Sequence, residues 1–230
     1  MKIGFFGGSF DPPHRGHIAL ARLAMERLAL DRVLLAPVGV QPLKRHRPQA
    51  GFDDRVAMTR LAVEGQPGLE VSLIDAPRAD GRPNYTLDTI HSLRASLPAS
   101  VPGENRIYFL MGADSFLTVG QWHRAADLLF ACDFVVAARP QFSLDRLTAA
   151  LPDSITAQQS APDLLSLRNP SGRESRLWLL PDLAERASAT TIREALEHGQ
   201  SIDEPADDWL DPRVAVYIRE HGLYRHSAQP

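Results

Sequence analysis

The 230-residue sequence has one cysteine, Cys132. An internal disulfide and a cysteine-rich metal cluster are therefore excluded, and the usage fits a reducing compartment. It also lacks a charge excess, with 25 Lys+Arg against 28 Asp+Glu for a formal net charge of −3. A basic footprint for DNA or RNA and a polybasic membrane anchor are absent. No run approaches the ~18 uninterrupted apolar residues of a membrane-spanning helix. The opening stretch Met1-Lys2-Ile3-Gly4-Phe5-Phe6 reaches glycines at 7 and 8 too soon for a secretory signal. These absences predict a cytoplasmic protein without nucleic-acid or membrane partners. What is present, 44% apolar and 23% charged residues, is enough to bury a substantial core.

The apolar pattern alternates between short runs and helical periods. Ile3–Phe6 reads as a buried strand, His17–Leu30 as a helix with Ile18, Ala21, Met25 and Leu28 on one side, and Val33–Val38 as the next strand. Asp53 is expected to cap a helix that stops at Gly65, and Leu69–Ile74 to form a strand. Further on come a helix over Thr86–Leu97, a strand over Ile107–Met111, a helix over Trp122–Phe130 and a strand over Phe134–Ala138. The pattern weakens between Gln141 and Arg176, with one short helical stretch from Leu144, so this region is expected to be an insertion or mobile segment. Leu177–Leu180 resumes as a strand, Thr191–His198 as a helix closed by Gly199, and Asp211-Pro212 opens a last helix ending at Gly222. Such alternation predicts a single α/β domain: a Rossmann-like, doubly wound, mostly parallel sheet with helices on both faces.

Two segments carry chemistry. GGSFDPPHRGH, Gly7 to His17, lies between the first strand and first helix, where doubly wound sheets bind ligands. Its glycines permit close backbone approach, and the N–H groups of Ser9 and Phe10 sit at a turn that favours phosphate. His14 and His17 are three apart at a helix start and so share one face, with Gly16 leaving that face uncluttered. The plain alternative is a satisfied loop histidine beside a capping one. Zinc has no third ligand in view.

The second segment is ASATTIREAL, Ala187 to Leu196. Ser188 or Thr190 can cap the helix that Ile192 and Leu196 anchor. Arg193 in its first turn opposes the helix dipole, a cost offset if an anion sits at that N-terminus. A simple cap with a solvated arginine is the competing reading.

GGSFDPPHRGH resembles the (H/T)xGH signature of the nucleotidyltransferase superfamily, and ASATTIR resembles its ISSTxIR signature. Within it the chain is similar to the bacterial nicotinate-nucleotide adenylyltransferase family, through Asn84-Tyr85-Thr86-Leu87-Asp88-Thr89, Gly112-Ala113-Asp114, Trp122, Arg139-Pro140 and the stretch from Tyr217 to Tyr224. The resemblance implies adenylyl transfer from ATP to nicotinate mononucleotide, with Mg2+ carried mainly by the ATP phosphates. It places His14 and His17 on those phosphates, Gly8, Ser9 and Phe10 against the nucleotides, and Asp114 at the adenosine ribose. Thr190 and Arg193 would hold the β- and γ-phosphates, with Ser188 as cap. Trp122 would stack on the pyridine, the amides near Tyr85 and Thr86 would receive its carboxylate, and Arg139 would lie on the pyridine-nucleotide side. The family's usual Pro-Pro-His-Lys is replaced by Gln41-Pro42-Leu43-Lys44; Lys44 keeps the charge, Leu43 lacks the histidine hydrogen bond, and His46 lies close by. A pantetheine-phosphate adenylyltransferase and a non-catalytic nucleotide sensor of the same fold are the alternatives. A dehydrogenase is excluded because no G-x-G-x-x-G follows the first strand.

Overall fold

The computed structural model describes residues 1–43, 48–98, 105–137, 144–180, 188–198 and 209–225. In chain order they form β1 (Lys2–Gly8), α1 (Arg15–Leu28), β2 (Arg32–Pro37), α2 (Phe52–Val63), β3 (Leu69–Val71), α3 (Thr86–Ser96) and β4 (Arg106–Gly112). There follow α4 (Ala113–Phe116), α5 (Ala125–Leu128), β5 (Asp133–Ala137), α6 (Leu144–Ala149), β6 (Thr156–Ala161), β7 (Leu164–Arg168), β8 (Glu174–Leu180), α7 (Ala189–Glu197) and α8 (Pro212–Glu220).

The eight strands make one sheet in the order β3-β2-β1-β4-β5-β8-β7-β6. Pairing is parallel from β3 across to β8 and antiparallel only in β8-β7-β6. The doubly wound α/β expectation is met. The central strands are apolar throughout because both faces are covered, and their side chains divide with a period of two. Ile107, Phe109 and Met111 of β4 join one core with Leu87, Ile90 and Leu93 of α3 and Leu147 of α6. Tyr108 and Leu110 point the other way, into a core with Leu20, Ala21 and Ala24 of α1. A third cluster joins Met58 of α2, Ile192 of α7, and Val214 and Ile218 of α8. It holds the two C-terminal helices beside the start of α1.

Three local expectations change. Asp53 is not the cap of α2: Gly51 occupies that position, and Asp53 and Asp54 lie in the first turn, where carboxylates favour the positive helix end. The expected helix over Trp122–Phe130 shrinks to the four residues of α5, entered through Arg124 in the left-handed region at φ 53°, while Trp122 follows a separate 3-10 turn at Val119–Gln121. The stretch that reads weakly from residue 141 contains a hairpin, β6 with β7, that extends the sheet. Its periodicity is faint because β6 is almost wholly exposed and only Leu165 and Leu167 of β7 enter the core.

Candidate active site

Strand order reverses at β1, whose neighbours are β2 and β4. Chain excursions leave in opposite directions there, so a crevice opens at the C-terminal ends of the two strands. A cleft of about 1300 Å3 occupies this place.

At its floor, β1 ends in Gly7-Gly8 and the chain turns through Phe10, at φ 47° in the left-handed region and almost fully buried. Phe10 is held between Phe6, ring centroids 5.4 Å apart, and His17, 4.9 Å apart. The Ser9 hydroxyl donates to Gln41 Oε1 at 3.0 Å. His14 is the N-cap of α1, and its N–H donates to His17 Nδ1 at 3.1 Å; the imidazoles lie 3.7 Å apart. A ring whose Nδ1 accepts must carry any neutral-state proton on Nε2. Burial pushes the His14 pKa down to about 4, so this imidazole is neutral near pH 7, and its Nδ1 has no partner among the described residues.

Across the cleft, the Ser188 hydroxyl caps α7 by accepting from the Thr191 N–H at 3.1 Å. Thr190 and Arg193 line the cleft one turn apart. Arg193 is not freely solvated. Its Nη1 donates to the Asp11 carbonyl at 2.7 Å and its Nη2 to the Thr190 hydroxyl at 3.3 Å. The two signatures, about 180 residues apart in sequence, thus face one space.

The other half of the cleft is aromatic. Tyr85 caps α3 and stacks on His123 with centroids 4.2 Å apart. Trp122 packs against the core, 6.0 Å from Phe109, and its indole N–H donates to the Thr118 hydroxyl at 3.1 Å. Thr86 begins α3 and lines the cleft, where the first amides of a helix have no partner within it. Asp114 is exposed in the first turn of α4 on the same wall. Lys44 and Arg139 lie outside the described residues, as do His46 and Pro140.

Several side chains around the cleft are given no role of their own by the sequence analysis. Arg55 in α2 is buried, and its Nη1 and Nη2 donate to the carbonyls of Ser9 at 2.7 Å and Val38 at 2.9 Å. It staples the first loop to the exit of β2. Burial lowers its pKa, and the Asp11 carboxylate works against that. Asn84 accepts from the Val40 N–H at 3.1 Å and donates to the Ala76 carbonyl at 2.9 Å, fixing the entry to α3. Buried Asp75 accepts from the Thr89 hydroxyl at 2.7 Å on the same wall, its pKa raised by burial. Arg55, among Val56, Met58 and Ala62 of α2, is the one available signal, and it does not name the partner.

The Cytidylyltransferase-like family profile matches residues 5–195. A Pseudomonas entomophila protein named "Probable nicotinate-nucleotide adenylyltransferase" is 36% identical over 229 residues, covering 98% of this chain and 96% of that one. A protein of the same name from Pectobacterium atrosepticum is 37% identical over 225 residues, covering 96% and 97%. The chain belongs to the nicotinate-nucleotide adenylyltransferase family. Its fold is also that of the Plasmodium falciparum nicotinic acid mononucleotide adenylyltransferase solved with NaAD, at TM-score 0.68 and 15% identity over 97% of each chain. Of the family's signatures, the HxGH residues and the ISSTxIR-type residues meet in the cleft, while the basic segment between Leu43 and Pro48 is outside the described residues.

Proposed function

We propose that this cleft transfers the adenylyl group of ATP to nicotinate mononucleotide, giving deamido-NAD and pyrophosphate. The observation that carries the reading is one cleft with a phosphate-facing half, lined by His14, His17, Thr190 and Arg193, and an aromatic half, lined by Tyr85, Thr86 and Trp122. A dinucleotide product needs both halves joined.

An oxygen of the mononucleotide phosphate attacks the α-phosphorus of ATP. The new P–O bond forms as the bond to the β-phosphate oxygen breaks, and the electron pair leaves with pyrophosphate. The nucleophile is ionised at pH 7, so no residue has to accept a proton. Catalysis then rests on in-line placement and on donors aimed at charge that builds on the leaving group. His17 and neutral His14 donate through their ring nitrogens to the α- and β-phosphates, Thr190 and Arg193 to the β- and γ-phosphates. Gly8, Ser9 and Phe10 place backbone N–H groups beside the chain of phosphates, Ser188 holds the α7 N-terminus open toward them, and Asp114 meets the ribose. Lys44 adds positive charge and Arg139 belongs to the pyridine-nucleotide side.

Among the described residues no three His, Cys, Asp or Glu side chains gather to hold a metal. Mg2+ would then be held mainly by the ATP phosphates, with no residue of the chain assigned to it, and would offset charge on the leaving pyrophosphate. On the acceptor side, the free amides at the start of α3 favour the carboxylate of nicotinate over the neutral amide of nicotinamide. The substrates and the lone, buried Cys132 fit a cytoplasmic location.

The experiment is a pyrophosphate-release assay with ATP and three acceptors: nicotinate mononucleotide, nicotinamide mononucleotide and 4′-phosphopantetheine. The expected order of kcat/KM puts nicotinate mononucleotide first by at least ~10-fold. Preference for the pantetheine substrate, or ATP binding without turnover of any acceptor, overturns the proposal.

A further inference from the structure

The HxGH loop carries a carboxylate to which the mechanism above gives no part. Asp11 is 4% exposed, and both of its oxygens are engaged. Oδ2 accepts from the Gln49 N–H at 2.9 Å, and Oδ1 accepts from the Ala50 N–H at 3.0 Å and from the Tyr224 hydroxyl at 2.8 Å. The main-chain carbonyl of Asp11 takes the Arg193 Nη1 donor at 2.7 Å, and that nitrogen stands 4.0 Å from Oδ2. Four stretches far apart in sequence meet on this residue: the first loop, the residues just after the basic segment, the middle of α7, and the end of the described chain.

A buried carboxylate is costly unless its charge is matched, and removing one partner costs more than the pair contributes. Here two amides, a hydroxyl and the nearby Arg193 and Arg55 guanidiniums supply the match. Tyr224 is itself buried and lies in the left-handed region at φ 60°. Burial and the adjacent carboxylate both push its pKa upward, so the hydroxyl keeps its proton and remains a donor. Arg193 has rotamers that would carry its charge out to solvent; the Asp11 carbonyl and carboxylate select the one that lies along the cleft wall.

We propose that Asp11, locked by Tyr224, is a positioning residue for the pyrophosphate half of ATP. It orients Arg193 and ties Gln49 and Ala50, just after the basic segment, to the loop that bears His14. The inference rests on the assignment of Arg193 and Thr190 to the β- and γ-phosphates. AMP lacks those phosphates, so a positioning role distinguishes ATP from AMP, whereas a role in folding alone does not.

The test compares Asp11→Asn and Tyr224→Phe with the native chain, titrating each calorimetrically with ATP and with AMP and measuring kcat and both KM values. Tyr224→Phe removes one hydrogen bond and is expected to weaken ATP binding about fivefold. Asp11→Asn sets an NH2 group against one of its N–H or O–H donors and is expected to weaken it at least ~10-fold. AMP keeps the α-phosphate that His14 faces, so its affinity is expected to fall at most about half as many fold as that of ATP, and the KM for the mononucleotide should stay within about twofold of native. Equal loss of ATP and AMP binding overturns the proposal, as does native ATP binding in both variants. If Asp11→Asn does not fold, Tyr224→Phe decides alone. A native chain that binds ATP but forms no deamido-NAD refutes the transfer reading and leaves this comparison intact, because it needs only binding.

Discussion

His17 shows how one side chain is committed twice. Its Nδ1 accepts from the His14 N–H, and that bond leaves Nε2 as the atom that can donate to a phosphate. In the proposed mechanism, replacing His17 by Ala removes a transition-state donor together with the restraint on the loop. Turnover is expected to fall at least ~100-fold with the fold intact; near-native turnover in a folded variant removes His17 from the mechanism. His14 makes a different prediction, because its cost appears in stability. Its ordinary pKa of 6.5 drops to about 4 on folding, so between those values the unfolded chain binds the extra proton. The native chain is thus fully stabilised above pH 6.5 and loses that contribution as pH falls to 4, up to about 3 kcal/mol from this group. Urea unfolding at pH 7 and pH 4.5 should show a smaller acid loss in His14→Gln than in the native chain. Equal losses would show that burial of this ring is not what disfavours the proton.

Loops between elements set the wall proposed to receive the acceptor. Gly39, just past β2, packs so closely on the next segment that a Cβ there would lie 2.5 Å from Pro77 Cα and 2.5 Å from its N. Backbone cannot yield as a flexible side chain does, so Gly39→Ala must separate the β2 exit from residues 76–77. Those residues also receive the Asn84 amide, which fixes the start of α3. The expected result is a fall of about tenfold or more in kcat/KM for the mononucleotide, with ATP affinity within about twofold of native. A parallel loss of ATP affinity would mean that this wall and the phosphate half do not move independently. The helices at the phosphate end are set by readable signals, for Ser188 caps α7 and Asp211 caps α8 ahead of Pro212. The acceptor wall has no such punctuation. Its conformation comes from Asn84 and Asp75 reaching groups that are distant in sequence.

For the molecule as a whole, the sheet divides into a parallel part that builds the cleft and an antiparallel extension that does not touch it. None of residues 144–180 lines the cleft, whereas Leu165 and Leu167 of β7 share a core with Phe109 and Phe134. Leu167→Ala is expected to cost about 2–5 kcal/mol of stability while leaving kcat/KM of the folded protein near native. Denaturant unfolding and an assay at low temperature check the two halves of that statement. Lost activity without lost stability would place this extension in the catalytic cycle.

By itself the sequence determined the alternation of strands and helices, the parallel α/β class and the two signatures, because each is local. A buried strand must be apolar, a helix must repeat near every 3.6 residues, and a glycine turn beside paired histidines is readable within eleven residues. It also showed that charge would have to be concentrated, since the total of −3 steers nothing. Only the tertiary structure decided that Arg193 reaches the Asp11 carbonyl, that Arg55 joins the Ser9 and Val38 carbonyls, and that Tyr224 closes on Asp11 from 213 residues away. The reason is physical: a buried charged or polar group must find partners in three dimensions, and no rule of spacing along the chain names them.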